Sequence, residues 1–549
     1  MKKPLLIILL LILPIQIIFA QKRDQKNLVS QVDSLLNSYY QPNQPGIALS
    51  IIEKGETIYS KQIGLAEMEY GNSITDSTAF HIASVSKQFT AFLAVLLEKE
   101  GKFSMNDDIR KYLPELKQLP YKITLRQLAN HTHGLPNLFE LAQLKGIDIG
   151  DRMSHKEVVQ MLLSIKQVNF KAGEKYEYNN TGFVLLAEII ERVMGKPFQE
   201  ILKDRIFIPL GMKNSIAVDN SSLIIKNKAY SYRLNNGKYE NYPFNIMANG
   251  SSGISTTIND LSKWAFNFQY PNSAQREIFQ EMQKRTTLNS GEIIHYGLGL
   301  EFKNYKGLDL VFHGGGDAAY RSYILHVPKY QFSVIILGNS NDFAPLKIVY
   351  GIVDLFLKEQ QKKPLTLKKV NYTTQELKPF EGTYQMFPGT YYNIIAEKDT
   401  LYFQSYGTND KAPLPVIGDG DFLFPYIPTS KFSFYKNGFD FHIADFKYAC
   451  TKVELNPPKS GDVSLTEFTG VYYNEEFHTA YELVVENNKL VAIHSFNKNI
   501  NLHPLSKDSF YSNEAFFGRL NFMKDSKGKV TKFNLSGQNL KDIEFNKIK

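Results

Sequence analysis

The chain has 549 residues, 43% hydrophobic and 21% charged, with a formal net charge of +8. This is an ordinary globular composition, long enough for about two to four domains, and without a dense Lys/Arg block the mild basic bias gives no ground for a nucleic-acid role. One cysteine, Cys450, excludes an internal disulfide and reads as a small buried strand residue.

Residues 1–20 read MKKPLLIILLLILPIQIIFA. Lys2 and Lys3 precede an apolar run and Ala20 stands before Gln21, which predicts a secretory signal peptide and an exported protein, periplasmic or secreted. Pro14 and a run shorter than about 20 residues argue against a membrane anchor, so no stable transmembrane segment is expected after cleavage. Helical spacing follows over Asn27 to Tyr40. Pro45 to Glu67 reads as two strands about a turn at Lys54-Gly55. An apolar-periodic helix begins near Ser84. A helix-rich stretch covers Asp107 to Leu210. Three strand-like runs come next (Leu308 to His313, Tyr320 to Val327, Phe332 to Asn339), then a helix over Ala344 to Lys358. Strands at both ends with helices between predict a sheet assembled from distant parts of the chain, antiparallel where runs are consecutive.

Composition changes beyond Gln360. The polar, basic, Pro-containing segment 361–376 reads as a linker, and short alternating strands follow it. LKPFEGTY (Leu377 to Tyr384) matches LTEFTGVY (Leu465 to Tyr472) at an offset of 88. Each copy opens a stretch of hairpins, which predicts two small β domains, 377–456 and 457–549, each a sandwich or barrel.

HIASVSKQFT (His81 to Thr90) places Ser84 and Lys87 three residues apart. Three residues is close to one helical turn, so the hydroxyl and the amine share a face. A serine at a helix N-terminus with an amine beside it is a nucleophile with a candidate base. S-x-x-K also occurs at Ser433, Ser495 and Ser526, in strand-like surroundings where it carries no such meaning. A second motif, Tyr178-x-Asn180, stands between a Gly-containing loop and a helix. Y-x-N occurs eight times in this chain, so its placement matters more than the tripeptide. The third motif is His313-Gly314-Gly315-Gly316. Consecutive glycines strip side chains from a strand edge and admit a ligand backbone.

In this order and spacing the three motifs resemble the serine β-lactamase and penicillin-binding-protein superfamily, and within it the class C β-lactamase-like branch that includes esterases and D-aminopeptidases. PGIALSII, TLRQLANHTHGLP, IPLGM, NGSSGISTTINDLSKW and YGLGLEF are similar to recurring segments of that branch, and the resemblance covers about residues 27–360. It implies an α/β (α+β) fold: an antiparallel sheet flanked by helices plus a helical subdomain, within a hydrolase domain over 21–360, followed by the two all-β domains. It also implies roles. Ser84 is the acylating nucleophile, Lys87 the amine that deprotonates it, and Tyr178 the proton relay. Asn180 orients Lys87 and the substrate amide. The N–H groups of Ser84 and Gly316 form the oxyanion hole, with His313 and Gly315 on the substrate strand.

True β-lactamases and DD-peptidases usually carry K-T-G where this chain has His313-Gly314-Gly315, so recognition of a substrate carboxylate is not expected to match theirs. Hydrolysis of an ester or amide through an acyl-enzyme is the function implied. A β-lactamase, a DD-carboxypeptidase and a non-catalytic penicillin-binding sensor are the alternatives. The partner implied is a small-molecule or peptide substrate, the spacing gives no oligomeric state, and no cofactor is called for. His131 and His133, in HTHGLP, lack an acidic or thiol set at ligand spacing and read as structural rather than metal-binding. Asp260 and Trp264 read as helix capping and packing, and Asp317 as a solvated turn carboxylate rather than a substrate contact.

Overall fold

A computed structural model describes residues 27–362, 371–424, 430–443, 446–459 and 461–549. The expected signal peptide, 1–20, and residues 363–370 of the expected linker lie outside the described residues. The described chain divides into two compact units. One holds residues 27–103, 190–286 and 295–362; the other holds 104–189, 287–294 and the described residues from 371 onward.

The first unit is built on a six-stranded antiparallel sheet. Its strands are β1 (Ile47–Glu53), β2 (Glu56–Ile63), β3 (Glu301–Tyr305), β4 (Leu308–Asp317), β5 (Tyr320–Val327) and β6 (Phe332–Gly338), in the spatial order β3-β4-β5-β6-β1-β2. Side chains alternate across a strand, and the two faces carry different partners. Leu49 and Ile51 of β1, Leu310 and Phe312 of β4 and Ile336 of β6 pack with Val32, Leu36, Ile348 and Ile352 from the helices at 27–37 and Pro345–Phe356. On the other face Ser50 of β1 and Ser333 of β6 bond to Ser262 (3.0 Å) and Gln269 (2.6 Å) of helix Ile258–Gln269. Helices on both faces explain why β1 and β6 are apolar almost without interruption. Trp264 of that helix stacks on Phe89 of helix Ser86–Lys99 at 4.2 Å and donates its indole N–H to Gln88 (2.9 Å). The expected packing role of Trp264 thereby acquires a target, the helix that carries Lys87.

The second unit contains helices Leu125–Ala129, Leu138–Leu144 and His155–Leu163, a nine-stranded antiparallel sheet, and a closed eight-stranded barrel from Gly470–Asn474 to Ile543–Lys547. The nine-stranded sheet has edge strands Lys411–Leu414 and Val416–Gly418, separated by Pro415 alone, so it curls around Phe403, Phe422, Phe432, Phe439 and a buried Cys450. The sequence repeat is a repeat of structure. In each copy a short 3-10 turn leads to a glycine at positive φ (Gly382 at 149°, Gly470 at 136°) and then a strand. In each copy a tyrosine hydroxyl reaches back to a carbonyl four residues earlier, Tyr384 to Phe380 (2.7 Å) and Tyr472 to Phe468 (2.9 Å). Among the described residues no helix is long and apolar enough to cross a membrane.

Candidate active site

In the first unit, Phe80 and His81 pair with Thr256 and Ser255, and the Ile82 N–H donates to Ile254 O (3.0 Å). The chain then turns sharply. Ala83 sits at φ 46°, in the left-handed region. That conformation costs a non-glycine residue roughly 1–2 kcal/mol. It begins the 3-10 turn Ala83–Val85, which presents the half-buried Ser84 ahead of helix Ser86–Lys99.

Lys87 lies one turn along and is fully buried. Its Nζ donates to Ser84 Oγ (2.9 Å) and to Ser251 O (2.9 Å). Burial pushes its amine down from the ordinary 10.5 to about 7, against the upward pull of the Asp317 and Glu301 carboxylates. An amine with that pKa is neutral in about half of the molecules at pH 7, against about one in 3,000 for an ordinary lysine. Ser84 and Lys87 are thus in contact, and an amine held near 7 has the protonation state that a general base at neutral pH needs.

Strand alternation sets the third motif. Phe312 faces the terminal helices, so His313, Gly315 and Asp317 face the side of helix Ser86–Lys99. β3 pairs with β4 only as far as Phe312, leaving residues 313–317 with β5 on one side alone. A Cβ on Gly315 would lie 2.5 Å from Ile82 O, 2.3 Å from Ser322 Oγ and 3.1 Å from Ser84 N. Only glycine lets the strand pass the Ala83–Val85 turn, and Ser322 fixes the approach by donating to Ile82 O (2.7 Å). A Cβ on Gly316 would meet nothing closer than Arg321, at 3.4 Å.

His313 is 1% exposed, and its nitrogens are engaged within the unit. Nδ1 lies 2.6 Å from Gly314 O and Nε2 3.0 Å from the Tyr296 hydroxyl. A carbonyl can only accept, so Nδ1 carries the proton and Nε2 accepts from Tyr296. Burial, aided by the Lys87 charge, holds the imidazole down at about 3. His313 is therefore a neutral group that braces the strand. Asp317 corrects the reading of a solvated turn carboxylate. It is 7% exposed, with Oδ2 2.8 Å from His81 Nε2. His81, Tyr296 and Glu301 carry no signal of their own in the sequence, although His81 opens HIASVSKQFT and Tyr296 and Glu301 lie in YGLGLEF.

Tyr178 and Asn180 belong to the second unit. The half-buried Tyr178 ring packs on His131 at 4.4 Å. His131 Nδ1 accepts from the Asn179 N–H (3.1 Å), Asn179 donates its side-chain amide to Leu135 O (2.6 Å), and Asn180 N–H donates to Asn137 Oδ1 (3.1 Å). His133 Nδ1 accepts from Leu135 N–H (2.9 Å), and burial pushes its imidazole down to about 3. A Cβ on Gly182 would lie 2.6 Å from Leu128 O and 2.7 Å from His133 Nε2. The HTHGLP loop is thus the mould in which the Tyr178–Asn180 segment is set.

The motifs and the fold that carries them define a β-lactamase-like serine hydrolase. The family model described as Beta-lactamase matches residues 26–351, and the chain belongs to that family. A penicillin-binding protein from Bacillus subtilis (strain 168) is 28% identical over 418 residues, 70% of this chain and 89% of that protein. A D-aminopeptidase from Gluconobacter oxydans (strain 621H) is 27% identical over 296 residues. That match spans 54% of this chain and 56% of the D-aminopeptidase, little more than half its length. Two solved structures share the fold. The octameric penicillin-binding protein homologue from Pyrococcus abyssi aligns with a TM-score of 0.55 at 24% identity, covering 85% of this chain and 98% of that one. D-amino acid amidase from Ochrobactrum anthropi SV3 aligns with a TM-score of 0.51 at 23% identity, covering 61% and 98%.

Proposed function

We propose that this chain hydrolyses amide bonds through an acyl-enzyme on Ser84, with D-aminoacyl amides or short peptides as the substrate class and simple esters as secondary substrates. The observation that carries the reading is the buried Lys87 amine in contact with the Ser84 hydroxyl. Neutral Lys87 accepts the Ser84 proton as Oγ adds to the substrate carbonyl carbon. The N–H groups of Ser84 and Gly316 receive the oxyanion. Collapse releases the amine, whose nitrogen takes a proton delivered through Tyr178, and water then hydrolyses the ester left on Ser84. The named activities of the D-aminopeptidase and amidase relatives support an amide substrate. His313, neutral where true β-lactamases place lysine, offers no fixed charge for a β-lactam carboxylate and argues against that alternative.

The test incubates the full chain with D- and L-aminoacyl p-nitroanilides, a p-nitrophenyl ester and a chromogenic cephalosporin, with Ser84→Ala as control. D-Aminoacyl anilide turnover is expected to exceed cephalosporin turnover and to fall by about a thousandfold or more in the variant. Equal rates in wild type and S84A, or no mass adduct on Ser84 with a fluorophosphonate, overturn the reading.

A further inference from the structure

Asn539 lies in the last turn of the barrel, between strands Val530–Ser536 and Ile543–Lys547. Its backbone N–H donates to Glu140 Oε2 (2.6 Å) and its side-chain amide to Glu140 Oε1 (2.6 Å), so one residue engages both oxygens of the carboxylate. Its carbonyl accepts from Asn137 N–H (3.3 Å) and from Asn169 Nδ2 (2.9 Å). Glu140 is 7% exposed, and burial pushes its carboxyl up to about 7 despite hydrogen bonds from Asn539 and Asn137. Asn137 is the shared member. It sits at the N-cap of helix Leu138–Leu144, its side chain bonds Glu140, and its Oδ1 accepts the Asn180 N–H.

The other end of the same helix is also held by the barrel. Leu144 O accepts from the Tyr481 hydroxyl (3.0 Å) and the Thr479 hydroxyl (3.3 Å), and Gln143 O from Asn497 Nδ2 (2.9 Å). The last carbonyls of a helix have no partner inside it, and here the barrel supplies donors to those of Gln143 and Leu144. A seven-residue helix is marginal by itself. It is clamped at both ends, and its first residues abut the Tyr178-x-Asn180 motif.

We propose that the C-terminal barrel is a positioning element of the hydrolase, with Asn539 acting through Glu140 and Asn137 to fix the backbone of Asn180 and the motif around it. This rests on the proposed roles of Tyr178 and Asn180 in turnover. Asn539, Glu140 and Asn137 are positioning residues, since each acts through a neighbour.

The test uses the full chain with Asn539→Ala, Asn539→Gln, Asn137→Ala, the N137A/N539A double variant and Tyr178→Phe. N539A and N539Q are each expected to lower kcat on a D-aminoacyl anilide by about tenfold or more, with KM within about threefold. Fluoride leaves a fluorophosphonate without needing a proton from Tyr178, so labelling of Ser84 is expected to stay within about threefold of wild type. Hydrogen exchange at the Asn180 amide is expected to quicken in both Asn539 variants. Residues acting in series do not add, so the double variant should fall no further than the worse single one. Unchanged kcat and exchange in the Asn539 variants with an inactive Y178F overturn the positioning role alone, as do losses that multiply in the double variant. Wild-type turnover by Y178F overturns the motif's role and the positioning claim with it.

Discussion

The proposed mechanism makes turnover depend steeply on the protonation state of Lys87, and pH perturbs that state directly. Its amine, held near 7 by burial, is deprotonated in about half of the molecules at pH 7, about a tenth at pH 6 and about a hundredth at pH 5. If the neutral amine is the base, the second-order rate of fluorophosphonate labelling at Ser84 falls about tenfold per pH unit below 7 and levels off above about 8. His313 adds no limb near 6.5, because its imidazole is held at about 3 and stays neutral across that range. Two substitutions test the cause. Arginine cannot be deprotonated in a protein, so Lys87→Arg should lose the about 10²–10⁴-fold contribution of a general base at every pH. Asp317 pulls the Lys87 pKa up, so Asp317→Asn should move the acid limb to lower pH. Labelling that is flat from pH 5 to 8, a limb at pH 9 or above, or a limb displaced upward in D317N would refute the reasoning.

Two further outcomes follow from the same geometry. Gly315→Ala puts a methyl 2.5 Å from Ile82 O and 2.3 Å from Ser322 Oγ. Labelling of Ser84 should drop by about a hundredfold or more while far-UV circular dichroism stays native; labelling at the wild-type rate would show that the strand does not pass the nucleophile turn this closely. Lys87→Met should stabilise the protein at neutral pH. The folded pKa lies below the unfolded one, so wild type bears a penalty that is fully present below about 7 and fades as pH rises towards 10.5. The stability gap between the two proteins should narrow by about 1.4 kcal/mol per pH unit over that interval. Melting temperatures at pH 7 and 9.5 check this, and an equal gap at both sinks it.

The pair Ser84 and Lys87 was legible because its chemistry depends on local spacing, and one helical turn fixes their separation wherever the helix is packed. The two β domains were legible from the Phe-Gly-Tyr repeat, since its members act locally, through a 3-10 turn, a positive φ and a hydroxyl bond four residues back. The direction of His313 was not legible. A strand pattern gives two faces and does not say which one Tyr296 occupies. Asp317 was misread for the same reason, because its partner His81 is 236 residues away. Asn539 left no signal in the sequence. It resembles any polar turn residue, and its carboxylate partner lies 399 residues upstream.

Several departures from local rules meet around one hydroxyl. Ala83 adopts a backbone conformation that suits glycine, Lys87 is buried with its amine near neutrality, and three glycines interrupt a strand of a covered sheet. Each departure costs stability when taken alone. Their partners interlock: Ser322 on β5 holds the carbonyl of Ile82, Gly315 gives that carbonyl room, and Ser251 receives the Lys87 amine. Relaxing Ala83 would move Ser84 away from Lys87, and a side chain at Gly315 would push the turn off the strand edge. The strain therefore persists because the apolar sheet and the Trp264–Phe89 stack hold both sides of the turn. The same arrangement leaves Ser84 half-buried on a rigid turn with the Lys87 amine already in contact, so the attack proposed above needs little reorganisation.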